Sequence, residues 1–137
     1  MANDYELTID VEAPAAVTWS VLGDLDSVPR WFTKYVECQT VGDIRTLRNA
    51  EGGELVERIL DRDDEARRYS YTVIAGPPLA HHEASFQVLA RGQDSTIVWH
   101  TNAQFLDSTI DTQERLGAAQ MEGLTRLKAL CEAAAAA

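Results

Sequence analysis

The sequence predicts an α+β fold, in which one antiparallel sheet of about seven strands packs against a long C-terminal helix. Strand-like segments follow one another between short charged or glycine-containing turns from residue 35 to residue 105, a spacing typical of an antiparallel meander. From about residue 108 onward, apolar residues recur instead at helical spacing. A chain of 137 residues fits one domain, and we expect residues 1–137 to form a single unit.

One strand and two short helices are predicted before the meander. In the first strand apolar side chains alternate with polar ones, at Tyr5, Leu7, Ile9 and Val11. Pro14 suits the first turn of a helix, which we expect to end near Gly23. Residues 24–30 are expected to form a second short helix or a turn.

The meander and the last helix account for the rest of the chain. We predict six further strands, at residues 35–40, 43–48, 54–60, 67–75, 82–89 and 96–105. Ser108 is expected to cap the long helix, with Asp111 three residues on as in a capping box. The helix is expected to end at about Glu132.

The composition argues against several kinds of partner and cofactor. A net charge of −10 is unsuited to binding nucleic acid or an anionic membrane surface. The cysteines and histidines form no metal-binding motif, so we expect neither a metal nor another cofactor. No apolar run approaches the roughly 20 residues that cross a bilayer, and no secretory leader pattern is present. We therefore expect a cytoplasmic monomer or homodimer without membrane insertion.

Alternation along the strands also indicates which side chains point inward. Tyr69, Tyr71 and Trp99 fall on apolar faces, and His82 is in phase with the buried residues of its strand. The strand at residues 54–60 is ambiguous, because one face would bury Glu57 and the other Arg58.

Small and amide residues on the long helix suggest that it covers open space. Gln113, Gly117 and Gln120 lie among its apolar positions, although glycine costs about 1 kcal/mol in a helix interior. The alternative is that the glutamines lie on the solvent edge of the apolar stripe.

The order of these elements resembles the helix-grip fold of the START-like superfamily. Its members include the birch-pollen allergen, abscisic-acid receptors and polyketide cyclase/dehydrase (SRPBCC) proteins, and the bacterial cyclase/dehydrase-like group is the most similar. The resemblance rests on local segments that occur in the same order along nearly the whole chain, at residues 9–14, 17–19, 24–31, 57–64, 69–71 and 98–99. It implies a curved sheet wrapped around the last helix, with a cavity for a hydrophobic molecule between them.

The resemblance also implies roles for particular residues. Glu57 resembles a cavity-facing glutamate of the abscisic-acid receptors, which favours Glu57 inward and Arg58 outward. His82 and Tyr71 fall at positions that face the cavity in relatives, and residues 50–53 and 75–80 resemble loops that gate its mouth. The cavity lysine of the receptors falls near Phe32, where this chain has no cation, so hormone reception is not implied.

A cavity with these walls suggests two functions. The expected ligand contacts are Trp31, Phe32, Tyr69, Tyr71, Phe86, Trp99, Gln113, Leu116 and Gln120. Glu57 and His82 could act as general base and general acid in a cyclisation or dehydration, with a hydrogen bond from Tyr69 or Tyr71 to an enolate oxygen. Alternatively, Glu57 and His82 only pair with each other in a polar patch of the cavity, and the protein carries a hydrophobic metabolite without changing it. A third hypothesis is an interaction module with an exposed apolar face.

Overall fold

The computed structural model describes residues 2–137. It has seven strands and three helices, in the order β1 (Asp4–Val11), α1 (Ala15–Leu22), α2 (Val28–Trp31), β2 (Tyr35–Val41), β3 (Ile44–Asn49), β4 (Glu54–Asp63), β5 (Arg68–Ala75), β6 (Leu79–Arg91), β7 (Asp94–Phe105) and α3 (Thr112–Ala136). The predicted α+β class and the order of elements are confirmed.

The seven strands form one sheet in which every neighbouring pair is antiparallel. The strand order is β1-β7-β6-β5-β4-β3-β2, so the meander runs from β2 to β7 and β1 completes the sheet beside β7. In β7 each second side chain is buried, at Ser95, Ile97, Trp99, Thr101, Ala103 and Phe105. This alternation directs one face of the sheet toward the helices, where the core lies.

The long helix α3 packs against β1, β7 and both short helices. Its buried side includes Gln120, Gly123, Leu124, Leu127 and Cys131. Gly123 lies where α3 approaches α2, because a Cβ atom there would lie 3.1 Å from Cδ1 of Phe32. Gly117, the small residue noted in the sequence, has no such close neighbour. A Cβ atom there would lie 3.5 Å from Cγ of Gln113, which is an ordinary van der Waals distance.

The start of α3 differs from the prediction. Ser108 is exposed in the loop before the helix, and Asp111 is the N-cap, whose side chain accepts a hydrogen bond from the Glu114 amide at 3.1 Å. The second carboxylate oxygen of Asp111 accepts from the Ala2 amide at 3.0 Å, which joins the N-terminal segment to the helix. The helix also continues past the expected end at Glu132, to Ala136.

No helix among residues 2–137 is long and apolar enough to cross a membrane.

Replacing Asp111 by alanine should destabilise the protein by about 1 kcal/mol, because the first turn of α3 loses its cap. Replacing Ser108 by alanine is the matched control and should change the free energy of unfolding by less than about 0.5 kcal/mol. Urea denaturation followed by circular dichroism measures both. Equal losses in the two variants would contradict the assignment of Asp111 as the cap.

Candidate functional site: a small aromatic cavity with a buried ion pair

A small cavity lies between α2 and the inner face of the sheet. It has a volume of about 40 Å³ and is lined by Val28, Trp31, Phe32, Tyr35, Arg45, Leu47, Leu55, Glu57, Tyr71, Phe86 and Trp99. Most of these side chains are apolar. The polar groups come from an arginine, a glutamate and two tyrosines, so the cavity has one polar region in an apolar wall.

Aromatic rings pack closely against one another around this cavity. The Phe86 and Trp99 ring centroids are 4.5 Å apart, and Trp31 meets both of these rings edge-on at 5.7 and 5.9 Å. The Trp99 indole N–H donates to the Tyr71 hydroxyl oxygen at 3.0 Å. Drug-sized ligands occupy pockets of roughly 300–1,000 Å³. The cavity is therefore closed to such a molecule unless a ring moves.

The polar region is built on a cross-strand pair. Arg45 of β3 is directly opposite Glu57 of β4, and its Nε donates to Glu57 Oε1 at 2.8 Å. The two side chains are only 2% and 8% exposed. Arg45 Nη1 donates to the Leu25 carbonyl and to the Tyr69 hydroxyl, both at 3.2 Å.

Aromatic faces complete the surroundings of the guanidinium. Its central carbon lies 5.4 Å from the Tyr69 ring centroid and 5.1 Å from that of Tyr71. A desolvated cation at this distance from an aromatic face is attracted by the ring quadrupole. Arg45 is thus held by one carboxylate, one carbonyl, one hydroxyl and two rings.

Burial changes the acid–base properties of this region. Desolvation raises the pKa of the Glu57 carboxyl, and the Arg45 guanidinium opposes that shift. Desolvation alone would lower the pKa of Arg45, but Tyr69 and Glu57 raise it above the ordinary value, so the arginine is charged. Burial also raises the pKa of Tyr35 to about 12 and that of Tyr71 well above 10, so both hydroxyls keep their protons at neutral pH.

The local geometry of β4 directs Glu57 inward. Arg58 is exposed and pairs with Asp43 at 3.6 Å on the outer face, as the sequence resemblance implies. The register of β4 and β5 shifts next to Glu57, where Val56 is opposite Ala75 but Glu57 is opposite Val73. The extra residue of this bulge, Ile74, lies on β5, so β4 keeps its alternation and Glu57 points to the same face as the buried Leu55.

His82 does not pair with Glu57. Its Nδ1 accepts a hydrogen bond from the Val73 amide at 3.1 Å, and its ring lies 5.6 Å from the Tyr71 ring. Here β5 and β6 diverge, since their pairing ends at Tyr71 and Ala84, and the imidazole takes the place of a backbone acceptor. Burial lowers the pKa of His82 to about 4. The expected Glu57–His82 contact is therefore wrong, and Arg45 is the partner of Glu57.

The other predicted ligand contacts divide into two groups. Trp31, Phe32, Tyr71, Phe86 and Trp99 line the cavity, whereas the rest lie elsewhere. Tyr69 contacts Arg45 through its hydroxyl and its ring, and it does not line the cavity. The buried Gln120 accepts from Tyr5 and donates to Thr101, while Gln113 and Leu116 are partly buried and do not line the cavity.

Arg45 is the site residue that sequence reasoning missed. A signal was present, because Arg45 is in phase with Leu47, which is buried on the same face of β3. A charged side chain in phase with a core residue, one strand away from an ambiguous glutamate, predicts a buried pair.

A shallow groove lies on the other side of the cavity wall. It has a volume of about 90 Å³ and runs between the end of α2 and α3, where it is lined by Trp31, Phe32, Thr33, Lys34, Ala119, Glu122, Gly123 and Arg126. Trp31 and Phe32 line both spaces. Trp31 is buried and Phe32 is only partly buried, so Phe32 is the more exposed part of the wall.

The chain is similar in sequence to one known family. Residues 3–132 match the profile of a family described as polyketide cyclase/dehydrase and lipid transport. No curated protein matches the sequence.

Solved structures share the fold. A Thermobifida fusca protein is 28% identical, with a TM-score of 0.79 and coverage of 92% of this chain and 91% of the other. The Zhui aromatase/cyclase from a Streptomyces species is 16% identical, with a TM-score of 0.77 and coverage of 94% and 93%. A START superfamily protein from Mycobacterium smegmatis is 13% identical, with a TM-score of 0.76 and coverage of 96% of each chain.

Replacing Arg45 by methionine should destabilise the protein by about 3–5 kcal/mol, because Glu57 then lacks its buried charged partner. The double variant Arg45→Met/Glu57→Leu should lose less than the sum of the two single variants, because no charge is left unpaired. Arg58→Met is the matched surface control and should cost less than about 1 kcal/mol. Urea denaturation measures all four; equal losses for Arg45→Met and Arg58→Met would contradict the buried pair.

His82 should make the protein less stable in acid. Its folded-state pKa of about 4 is below the ordinary 6.5, so the unfolded chain binds the proton first. The contribution of the neutral His82 to the free energy of unfolding is fully present above pH 6.5. It decreases as the pH falls from 6.5 to about 4, and below pH 4 it does not change further. His82→Asn keeps an acceptor for Val73 without titrating. It should reduce the loss of stability between pH 7 and pH 4 by about 3 kcal/mol in urea denaturation; an unchanged loss would refute this role.

Proposed function

The chain belongs to the polyketide cyclase/dehydrase and lipid transport family, and on this premise we propose that it binds a small hydrophobic molecule in the Arg45–Glu57 cavity. We place this function in the cytoplasm, where its two free cysteines would stay reduced. The observation that carries the proposal is the cavity itself: an aromatic wall with one buried polar pair, the arrangement typical of small-molecule sites.

Binding requires that the wall moves. The cavity of about 40 Å³ has room for a few water molecules at most. Phe32 separates it from the groove between α2 and α3, and it is less buried than the rings behind it. A shift of Phe32 toward solvent joins the two spaces. The ligand ring then takes the place of the phenylalanine ring against Trp99, which now lies 5.9 Å from Phe32.

The cavity contacts favour apolar ligands for a simple energetic reason. Each buried methylene group contributes about 0.8 kcal/mol to binding. Trp31, Phe86 and Trp99 offer edges and faces to a planar ring, and such aromatic contacts add about 0.5–1.5 kcal/mol each. The ligand class that fits is therefore aromatic or polyketide-like.

Catalysis of a cyclisation or dehydration is the second candidate function. The observation in its favour is the Glu57 carboxyl, whose pKa burial raises toward the range of a proton-transfer group. The Tyr71 hydroxyl lines the same cavity and keeps its proton, so it can donate to an enolate oxygen. In this reaction Arg45, rather than His82, would stabilise the charged carboxylate.

Native mass spectrometry of the protein purified from its own organism tests both functions. We expect a bound apolar molecule in the wild type. The Leu55→Trp variant should contain no bound ligand, because the larger side chain fills the cavity. The Val56→Trp variant, which places the same side chain on the other face of β4, should still contain the ligand. Failure to recover any ligand, or equal recovery from both tryptophan variants, would refute binding at this site.

The isosteric variant Glu57→Gln separates a carrier from a catalyst in the same measurement. A dehydrating enzyme without its proton-transfer group should retain a precursor heavier by one water molecule than the wild-type ligand. A carrier should yield the same molecule from both proteins, with a lower occupancy in Glu57→Gln if the carboxylate contacts the ligand.

A further inference from the structure

The buried ion pair has hydrogen-bonding capacity that the protein does not use. A guanidinium has five N–H donors, and Arg45 donates through Nε and Nη1 to Glu57, Leu25 and Tyr69. Among residues 2–137, Arg45 Nη2 donates no hydrogen bond and Glu57 Oε2 accepts none.

Neither of these two atoms is fully enclosed by the protein. No side-chain nitrogen or oxygen that is fully enclosed within residues 2–137 lacks a partner. Arg45 Nη2 and Glu57 Oε2 are therefore in contact with open space, and both residues line the cavity. The ion pair thus offers the cavity one free donor group and one free acceptor atom, on side chains that are 2% and 8% exposed. The Tyr35 and Tyr71 hydroxyls line the same cavity.

The charge of the pair restricts the ligand. Arginine and glutamate together are neutral, so an anionic ligand would meet the buried Glu57 carboxylate, and a cationic one would meet Arg45. Either would bring a third charge into a desolvated site, which is costly. An ether or ketone could accept from Arg45 but would leave Glu57 Oε2 unpaired.

A neutral hydroxyl satisfies both atoms, because it donates one hydrogen bond and accepts another. We propose that the ligand is a neutral aromatic hydroxyl compound, a phenol or an enol of similar shape, whose hydroxyl donates to Glu57 and accepts from Arg45. This inference rests on the proposed binding function and names the chemical class that the site selects.

Four monocyclic probes of similar size test the proposal on the wild-type protein: p-cresol, 4-methylanisole, p-xylene and 4-methylbenzoate. Binding is followed at neutral pH through the indole N–H signals in ¹H–¹⁵N NMR spectra, assigned with tryptophan-to-phenylalanine variants. Trp31 and Trp99 line the cavity and should shift. Trp19 bonds to Asp64 outside the cavity and serves as the internal control.

We expect p-cresol to bind at least about tenfold more tightly than p-xylene, because the latter leaves two buried polar atoms unpaired. In a merely apolar cavity the order would be reversed, since a methyl group leaves water more readily than a hydroxyl. 4-Methylanisole should bind about as weakly as p-xylene, because its ether oxygen cannot donate a hydrogen bond to Glu57. 4-Methylbenzoate should bind most weakly, because its carboxylate meets that of Glu57.

Glu57→Gln should change this selectivity. The amide NH₂ replaces the acceptor by a donor and removes the negative charge, so p-cresol should lose about tenfold in affinity and 4-methylbenzoate should gain. Glu54→Gln, on the exposed part of the same strand, is the matched control and should keep the wild-type order. A gain for the carboxylate cannot arise from a loss of folding.

The results distinguish the recognition of a hydroxyl group from the binding of a hydrophobic molecule. Binding of p-xylene as tightly as p-cresol would overturn the hydroxyl proposal and leave the hydrophobic site intact. Equal binding of 4-methylanisole and p-cresol would overturn the donor role of the ligand. Binding of none of the probes, with no shift of Trp31 or Trp99, would overturn both. If Glu57→Gln does not fold, the wild-type order alone decides.

Discussion

The ion pair between Arg45 and Glu57 is the interaction on which the centre of this molecule depends. Two charges removed from water cost several kcal/mol each, and they are tolerated only where each is well paired. The structure meets this condition with contacts from different parts of the chain: a carboxylate from β4, a carbonyl from Leu25 and a hydroxyl from Tyr69 of β5. The pair therefore joins three neighbouring strands to the segment between the short helices. It also leaves one polar region inside an aromatic interior.

Aromatic packing and ligand binding compete for the same space. The rings of Phe86, Trp99 and Trp31 contact one another closely and leave only a small cavity beside the ion pair. Close packing stabilises the unliganded protein, but the ligand must then replace contacts that already exist. Phe32 is suited to this exchange, because it is only partly buried. The access that we propose between α2 and α3 differs from the loop gate that the sequence resemblance implies.

His82 and Arg45 illustrate how sequence reasoning succeeds and fails at a site. Alternation correctly assigned the inward faces of β5, β6 and β7, because side-chain direction in a strand follows from the backbone. Alternation does not tell which inward side chains meet. His82 lies where β5 and β6 diverge and bonds to the backbone of Val73, whereas Arg45 lies opposite Glu57 only through the register of β3 and β4.

The sequence alone determined the α+β class, the order of the elements and the inward direction of most apolar side chains. These follow from short-range periodicity, which is local to each segment. Only the tertiary structure decided the partner of Glu57, the cap of α3 at Asp111 and the small volume of the cavity. Those depend on strand register and on how rings from distant segments pack, and neither property is encoded in the spacing of residues within one element.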